Sequence, residues 1–67
     1  MENFTEKLKD ARNEKGLSQQ KAAEAIGITR SAYSNYEQGL REPDLSTLKK
    51  ICLLFDISSD YLLGIEK

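Results

Sequence analysis

The feature that most limits how this 67-residue chain can fold is its division by four glycines into segments of helical length. Helices commonly end at a glycine, since the residue after the last turn often adopts a left-handed conformation. Between the glycines, apolar residues recur at spacings of three and four, as on one face of a helix. The segments therefore predict short helices and no sheet. The glycines are Gly16, Gly27, Gly39 and Gly64.

Five helices are expected from this pattern. The first covers residues 4–15, where Phe4, Leu8 and Ala11 share a helix face. Asn3 and Glu6 have the spacing of a capping box at its start. The other helices are expected over residues 19–26, 30–38, 45–55 and 59–63. Each follows a residue whose side chain can cap a helix, namely Ser18, Thr29, Asp44 and Ser58.

The fourth helix carries the densest apolar face of the chain. Pro43 cannot continue a helix, so an ordered loop is expected between the third and fourth helices. Cys52 is interpreted as a buried, inert thiol rather than a redox switch. Five short helices without strands predict an all-α fold, a compact orthogonal array in which residues 1–67 form a single domain. The residues expected to face the core are Leu45, Leu48, Ile51, Cys52 and Phe55.

Several classes of function are disfavoured by what the chain lacks. A chain of this length has no room for a deep catalytic cleft, and it contains no His and a single Cys. We therefore expect no enzyme, no cofactor and no metal site, and no small-molecule ligand is evident. No apolar run reaches the roughly 20 residues of a membrane span, and the first residues do not resemble a signal peptide. The protein is expected to be cytoplasmic.

Residues 19–36 fit the helix-turn-helix template, in which two helices meet at about 90–120° across a short turn. Ala23 is small because the second helix must cross it, and Gly27 permits a positive φ in the turn. The outward face of the second helix is then available for a DNA major groove. An ordinary pair of helices in a small bundle is the alternative interpretation. The residues expected to fill the angle between the helices are Ile26, Ile28, Tyr33 and Tyr36.

An ordered set of short motifs extends over nearly the whole chain. It consists of Leu17-Ser18-Gln19, Ala22-Ala23, Ile26-Gly27-Ile28, Ser34-Asn35-Tyr36-Glu37-Gln38-Gly39, Pro43, Leu48-Lys49-Lys50-Ile51-Cys52 and Ile57-Ser58-Ser59-Asp60-Tyr61-Leu62-Leu63-Gly64. With these motifs at these spacings, the chain resembles the Cro/phage-repressor family of helix-turn-helix domains, the xenobiotic-response-element type. The resemblance implies a compact five-helix, lambda-repressor-like DNA-binding domain with the helix-turn-helix as helices 2 and 3.

The resemblance also implies which residues contact DNA. The start of the second helix would bind phosphates, and Gln19 is the best candidate there because its amide can supplement the free N–H groups of a helix N-terminus. Arg41 is the cation available in the loop after the third helix, although its neighbour Glu42 weakens that contact. The implied phosphate contacts in the second helix are Gln19, Gln20 and Lys21, with Ser18 beside them.

The first two turns of the third helix would read bases. Arg30 suits guanine, Asn35 suits adenine, and Ser31 suits several base edges. The methyl group of Thr29 would contact a thymine methyl. Solvated side chains with no role are the alternative for the four polar residues of the third helix, Arg30, Ser31, Ser34 and Asn35. The same alternative holds for Lys15 and Lys21. The complete implied set is Thr29, Arg30, Ser31, Ser34 and Asn35.

Taken as averages over the chain, the net charge of −1 and the pI of about 5.3 argue against binding to nucleic acid. The charges are unevenly placed, however: residues 12–41 contain five cations and three carboxylates, and the two flanks together carry −3. Within the positive region, Glu37 would repel DNA, so pairing with Arg12 or with a loop amide is expected. A modest positive charge predicts weak binding by a monomer, and hence a homodimer. Tyr61, Leu62 and Ile65 are its expected contact patch.

The sequence therefore predicts a DNA-binding transcriptional regulator, a repressor that reads a palindromic operator as a homodimer. An antitoxin or restriction-modification controller on the same fold is one alternative. A protein-interaction module that no longer binds DNA is another. Met1 and the polar end Glu66-Lys67 favour a complete or nearly complete chain.

Overall fold

The computed structural model describes residues 3–65, and over that range the chain forms five α-helices and no strand. The predicted all-α, five-helix array is confirmed, with the predicted helix bounds. None of the helices in this range has the length and apolar character needed to cross a membrane. The helices are α1 (Phe4–Lys15), α2 (Gln19–Ile26), α3 (Arg30–Gln38), α4 (Leu45–Phe55) and α5 (Ser59–Leu63).

Side-chain caps explain where four of these helices begin. In each, a hydroxyl or carboxylate oxygen accepts a hydrogen bond of 2.8 to 3.1 Å from the backbone N–H three residues later. The caps are the predicted ones, Ser18, Thr29, Asp44 and Ser58. The capping box predicted at Asn3 is wrong. Asn3 has a φ of 65° and makes no side-chain cap, because capping requires an extended backbone at that position.

Side chains from all five helices meet in one core. Two adjacent alanines of α2, Ala22 and Ala23, are fully buried, and α2 packs against both α3 and α4 there. Their small size lets the neighbouring helices approach closely, as predicted for Ala23. The largest fully buried side chains come from the other four helices and are Leu8, Tyr33, Ile51 and Leu62.

The outward side of α4 differs from the prediction. Leu45, expected to face the core, is 85% exposed, because it lies in the first turn of α4 at the border of the inward face. Cys52 is only half-buried, although burial still raises the pKa of its thiol. Ile51 and Phe55 are buried as expected. The apolar residues of α4 therefore exceed what the core covers.

The turn between α2 and α3 depends on the backbone conformation of Gly27. Its φ is 77°, and its N–H donates to the carbonyl oxygens of Ala23 and Glu24, which ends α2. A Cβ added at this position would meet no atom within 4 Å. Glycine is therefore required here for its backbone conformation and not because a larger side chain would clash with neighbouring atoms.

Gly27→Ala is expected to lower the free energy of unfolding by about 1–2 kcal/mol, the usual penalty for a left-handed Ala. Gly27→Asn should lower it less, since Asn tolerates this conformation better. Urea unfolding of the three proteins measures both differences. Equal losses for Ala and Asn would contradict a purely conformational requirement.

Candidate nucleic-acid interface

Helix α3 has one face packed into the domain and one face open to solvent. Tyr33 and Glu37 are buried, whereas Arg30 and Ser31 are exposed. Ser34 and Asn35 lie one turn further along and are half-buried. The structure thus places four of the five implied base-reading residues together on the outward face of α3. Thr29, the fifth, is exposed at the N-terminus of the same helix.

The outward side chains of α3 differ in how far the protein already uses them. The Ser34 hydroxyl accepts a hydrogen bond of 2.7 Å from Gln38 Nε2, and Thr29 Oγ1 caps α3. Within residues 3–65, the side chains of Arg30 and Asn35 make no hydrogen bond or ion pair with the protein. Arg30 and Asn35 therefore retain their full hydrogen-bonding capacity for an external partner.

A buried ion pair holds the inward side of α3 to α1. Glu37 is 2% exposed, and Arg12 binds both of its carboxylate oxygens, through Nε at 2.7 Å and Nη2 at 3.2 Å. Arg12 Nη1 also donates to the Leu17 carbonyl oxygen at 2.9 Å. The predicted pairing of Glu37 with Arg12 is confirmed. A two-point contact of this kind fixes the orientation of both groups.

The surroundings of Glu37 keep it ionised. Burial raises the pKa of Glu37, but interactions with Arg12, Tyr33 and Gln19 outweigh burial, so the pKa lies below its ordinary value. The hydrogen bond to Glu37 in turn raises the pKa of Arg12. Burial, followed by the nearby carboxylate, raises the pKa of Tyr33, whose hydroxyl has no well-formed hydrogen bond within the described residues. Both members of the pair are therefore charged near neutral pH.

Gln19, the implied phosphate anchor, is attached to the same pair. Its Nε2 donates to Glu37 Oε1 at 3.1 Å, and its side chain is half-buried. One amide proton is thus committed to the protein, and the other remains available together with the backbone N–H groups of Gln19 and Gln20, whereas the Lys21 N–H donates to Ser18 Oγ. The structure fixes the start of α2 relative to α3, a connection that sequence reasoning did not find.

The next two implied phosphate contacts, Gln20 and Lys21, lie on the exposed side of α2. Gln20 Nε2 donates to Glu24 Oε2 at 2.8 Å, and Lys21 Nζ lies 3.9 Å from Glu24 Oε1. Both side chains are thus directed toward the same carboxylate. The spacings of four and three residues, at which side chains meet on a helix, were a sequence signal for these contacts, which were not among the predicted ones.

Arg41, the implied loop cation, is exposed just after α3. Its backbone N–H donates to the Asn35 carbonyl oxygen at 3.4 Å, which connects the loop to the end of the helix. Arg41 also lines a shallow depression of about 100 Å³ beside Thr5 and Gly39. Its guanidinium has no ion pair within residues 3–65.

The patch predicted for dimer contact is only partly exposed. Leu62 is fully buried in the core, so its assignment to that surface is wrong: the inward face of α5 needs it. Tyr61 is 38% exposed, with Lys7 Nζ 4.9 Å from its ring centroid, and Ile65 is 61% exposed. Tyr61 and Ile65 alone form a small surface.

A larger apolar surface, missed in the sequence, lies on α4. The outward side of α4 carries Leu45, Lys49 and Leu53 at four-residue spacings. Leu45 is 85% exposed and Leu53 is 73% exposed. We call this surface the α4 stripe. It borders a groove of about 290 Å³ lined by Leu45, Leu48, Lys49, Cys52, Leu53 and Ser59.

Comparison with known proteins gives one family. A helix-turn-helix family model matches residues 8–62. The chain is 53% identical over 60 residues to the uncharacterized HTH-type transcriptional regulator YqaE of Bacillus subtilis, covering 90% of this chain and 52% of the relative. It is 47% identical over 58 residues to the HTH-type transcriptional regulator ImmR of Bacillus subtilis, covering 87% and 46%.

A third relative is the cryptic phage CTXphi transcriptional repressor RstR of Vibrio cholerae, 33% identical over 54 residues, which are 81% of this chain and 49% of the relative. The chain spans about half the length of the curated relatives it matches. The relatives are named as regulators of transcription, in agreement with the expectation that this chain is not an enzyme.

Acid is expected to weaken the domain through Glu37. Folding lowers the pKa of Glu37, so the ionised carboxylate stabilises the folded state. This contribution to the free energy of unfolding is complete above the unfolded-state pKa and is lost as the pH falls through the folded-state pKa. Glu37→Gln should lower the free energy of unfolding at neutral pH by about 3 kcal/mol and reduce its decline in acid. Urea unfolding across the acidic range measures both effects.

Glu6→Gln is the matched control for this measurement, since it removes a carboxylate that is exposed on α1. Asp44, whose pKa is lowered by the Thr47 N–H, titrates alike in all three proteins and cancels from the comparison. Parallel acid profiles for wild type and Glu37→Gln would show that Glu37 does not stabilise the fold as an anion.

Proposed function

The chain belongs to the helix-turn-helix family, and from this premise we propose that residues 1–67 form one lambda-repressor-like domain that binds operator DNA and represses transcription. In bacteria such DNA lies in the cytoplasm, which is the proposed location. The observation that carries the proposal is the division of α3 into a fixed inward face and an outward face whose polar groups are available. A B-DNA major groove, about 12 Å wide, admits such a helix.

Base readout is proposed for the outward face of α3. The guanidinium of Arg30 has five donors and suits the O6 and N7 acceptors of guanine, while the Asn35 amide suits adenine. Ser31 is exposed and suits several base edges. Ser34 can still donate its hydroxyl proton, since Gln38 occupies it only as an acceptor. Thr29 contributes its methyl group, because its oxygen caps α3.

Phosphate contacts are proposed for the start of α2 and for the loop after α3. A helix N-terminus with unsatisfied N–H groups favours an anion, and Gln19 is held there by Glu37. Arg41 extends the contact on the far side of α3. Gln20 and Lys21 are the further candidates on α2. These contacts would set the position of α3 in the groove without reading sequence.

The buried ion pair removes one cation and one anion from the surface, so the positive region keeps its modest excess. Each phosphate neutralised adds only about 0.9 to the salt dependence of binding, and this domain has few cations to neutralise them. A monomer should therefore bind weakly. Two linked domains on two half-sites overcome this limit, which is why we propose a homodimer reading a palindrome with half-site centres about 34 Å apart.

The α4 stripe is the surface we propose for the homodimer, in place of the Tyr61, Leu62 and Ile65 patch. Leu45 and Leu53 lie at equal spacings on either side of Lys49. Two antiparallel copies of α4 can therefore place Leu45 of one copy against Leu53 of the other. A two-fold interface requires such self-complementarity. The methylene stem of Lys49 can pack along the contact while its ammonium reaches solvent.

Arg30→Ala is expected to weaken binding to the preferred duplex by about 1–3 kcal/mol and to relax one base preference, because a base contact is lost. Gln19→Ala should weaken preferred and mixed-sequence duplexes alike. Fluorescence anisotropy with both duplexes distinguishes the two effects. Lys9→Ala, on the exposed side of α1, is the matched loss of a cation. Equal losses on both duplexes for Arg30→Ala would refute its assigned role.

Leu53→Gln is expected to shift the protein from dimer to monomer, because it places an amide in an apolar contact. Ile65→Gln tests the patch predicted from the sequence and should leave the association unchanged. Sedimentation equilibrium of wild type and both variants measures the effect. Loss of the dimer in Ile65→Gln alone would place the interface at the end of α5 instead.

A further inference from the structure

Glu24 is an exposed carboxylate on the face of α2 that carries two proposed phosphate contacts. It accepts a hydrogen bond of 2.8 Å from Gln20 Nε2 and lies 3.9 Å from Lys21 Nζ. The side chains of Lys21 and Glu24 are 71% and 55% exposed, so solvent and ligands reach both. Arg30 and Arg41, in contrast, have no ion pair within the described part of the chain.

We propose that Glu24 limits the affinity of this domain for DNA by holding Gln20 and Lys21 along α2, away from the phosphates. The inference rests on the proposed function and adds to it a residue that weakens binding rather than promoting it. A phosphate that approaches Lys21 competes with the Glu24 carboxylate for the Lys21 ammonium, which lies 3.9 Å from that carboxylate. The carboxylate itself then remains near the phosphates, within the Debye length of about 10 Å at 0.1 M salt.

The size of the effect follows from the exposure of these groups. An exposed pair three or four residues apart in a helix shifts an equilibrium by about twofold, so the contacts reduce binding without preventing it. Repulsion between the carboxylate and the phosphates adds to this at low salt. Because phosphates are common to every sequence, Glu24 lowers the affinity for all duplexes by the same factor and leaves base preference unchanged.

Glu24→Gln is the test, with Glu14→Gln as the control for net charge. Glu14 lies on α1 beside Asp10, Ile57 and Tyr61, on a surface to which α3 does not contribute. Binding to a fluorescein-labelled duplex of mixed sequence is measured by anisotropy over a series of salt concentrations. Thermal unfolding of each variant establishes that it is folded. Lys21→Gln is made in the wild-type and Glu24→Gln backgrounds to complete a double-mutant cycle.

Glu24→Gln is expected to bind DNA about two- to tenfold more tightly at low salt. The fall of log affinity with log salt concentration should become steeper by about 0.9, because Lys21 then neutralises one more phosphate. Glu14→Gln should match the wild type. Lys21→Gln should have little effect alone but should reduce the gain in the Glu24→Gln background by about twofold, the part that comes from the contact between Glu24 and Lys21.

Four results would overturn the inference. Equal gains for Glu24→Gln and Glu14→Gln would show an effect of net charge alone. A gain that Lys21→Gln does not reduce would show that Glu24 does not act by holding Lys21. Wild-type binding that Glu24→Gln leaves unchanged would refute the inference but not the proposed function, whereas no wild-type binding at low salt would refute both.

Discussion

The Arg12 to Glu37 ion pair is the interaction on which the rest of the structure depends. It joins α1 to α3 in the interior, and through Gln19 it also holds the first turn of α2. Removing one partner of such a pair strands a buried charge, so the pair is maintained as a unit. Its consequence for function is geometric. The start of α2 and the outward face of α3, which would contact phosphates and bases respectively, are fixed relative to each other by one carboxylate.

The same constraint explains how a chain with a net charge of −1 can present a DNA-binding surface. Glu37 lies on the helix that would enter the groove, yet its charge is buried and neutralised from within. Glu24 is the acidic residue of α2 that remains outside, and it lies beside Lys21. Affinity would then be limited by few phosphate contacts, and specificity would come from bases read by two symmetric subunits. The α4 stripe is the apolar surface that we propose for that symmetry.

Much of the fold could be predicted from the sequence, because it depends on local interactions. Ser18 caps the helix that follows it, and Gly27 ends that helix, in both cases through hydrogen bonds to residues three or four positions away. The pairing of Glu37 was predictable because a carboxylate there needs a partner. Leu45 and Leu62 were not placed correctly, since the apolar side that meets the core depends on how the helices pack. Gln19, the second hydrogen-bond partner of Glu37, could not be predicted, because no local pattern contains the distance across the turn between α2 and α3.

Selection of bound duplexes from a random DNA library tests the central claim most directly. The claim is that the outward face of α3, presented twice by a symmetric dimer, reads DNA sequence. The account predicts an enriched motif with two-fold symmetry and half-site centres about one helical turn, or 34 Å, apart. Recovery of no enriched motif at low salt would contradict it and would favour a domain that binds protein partners instead.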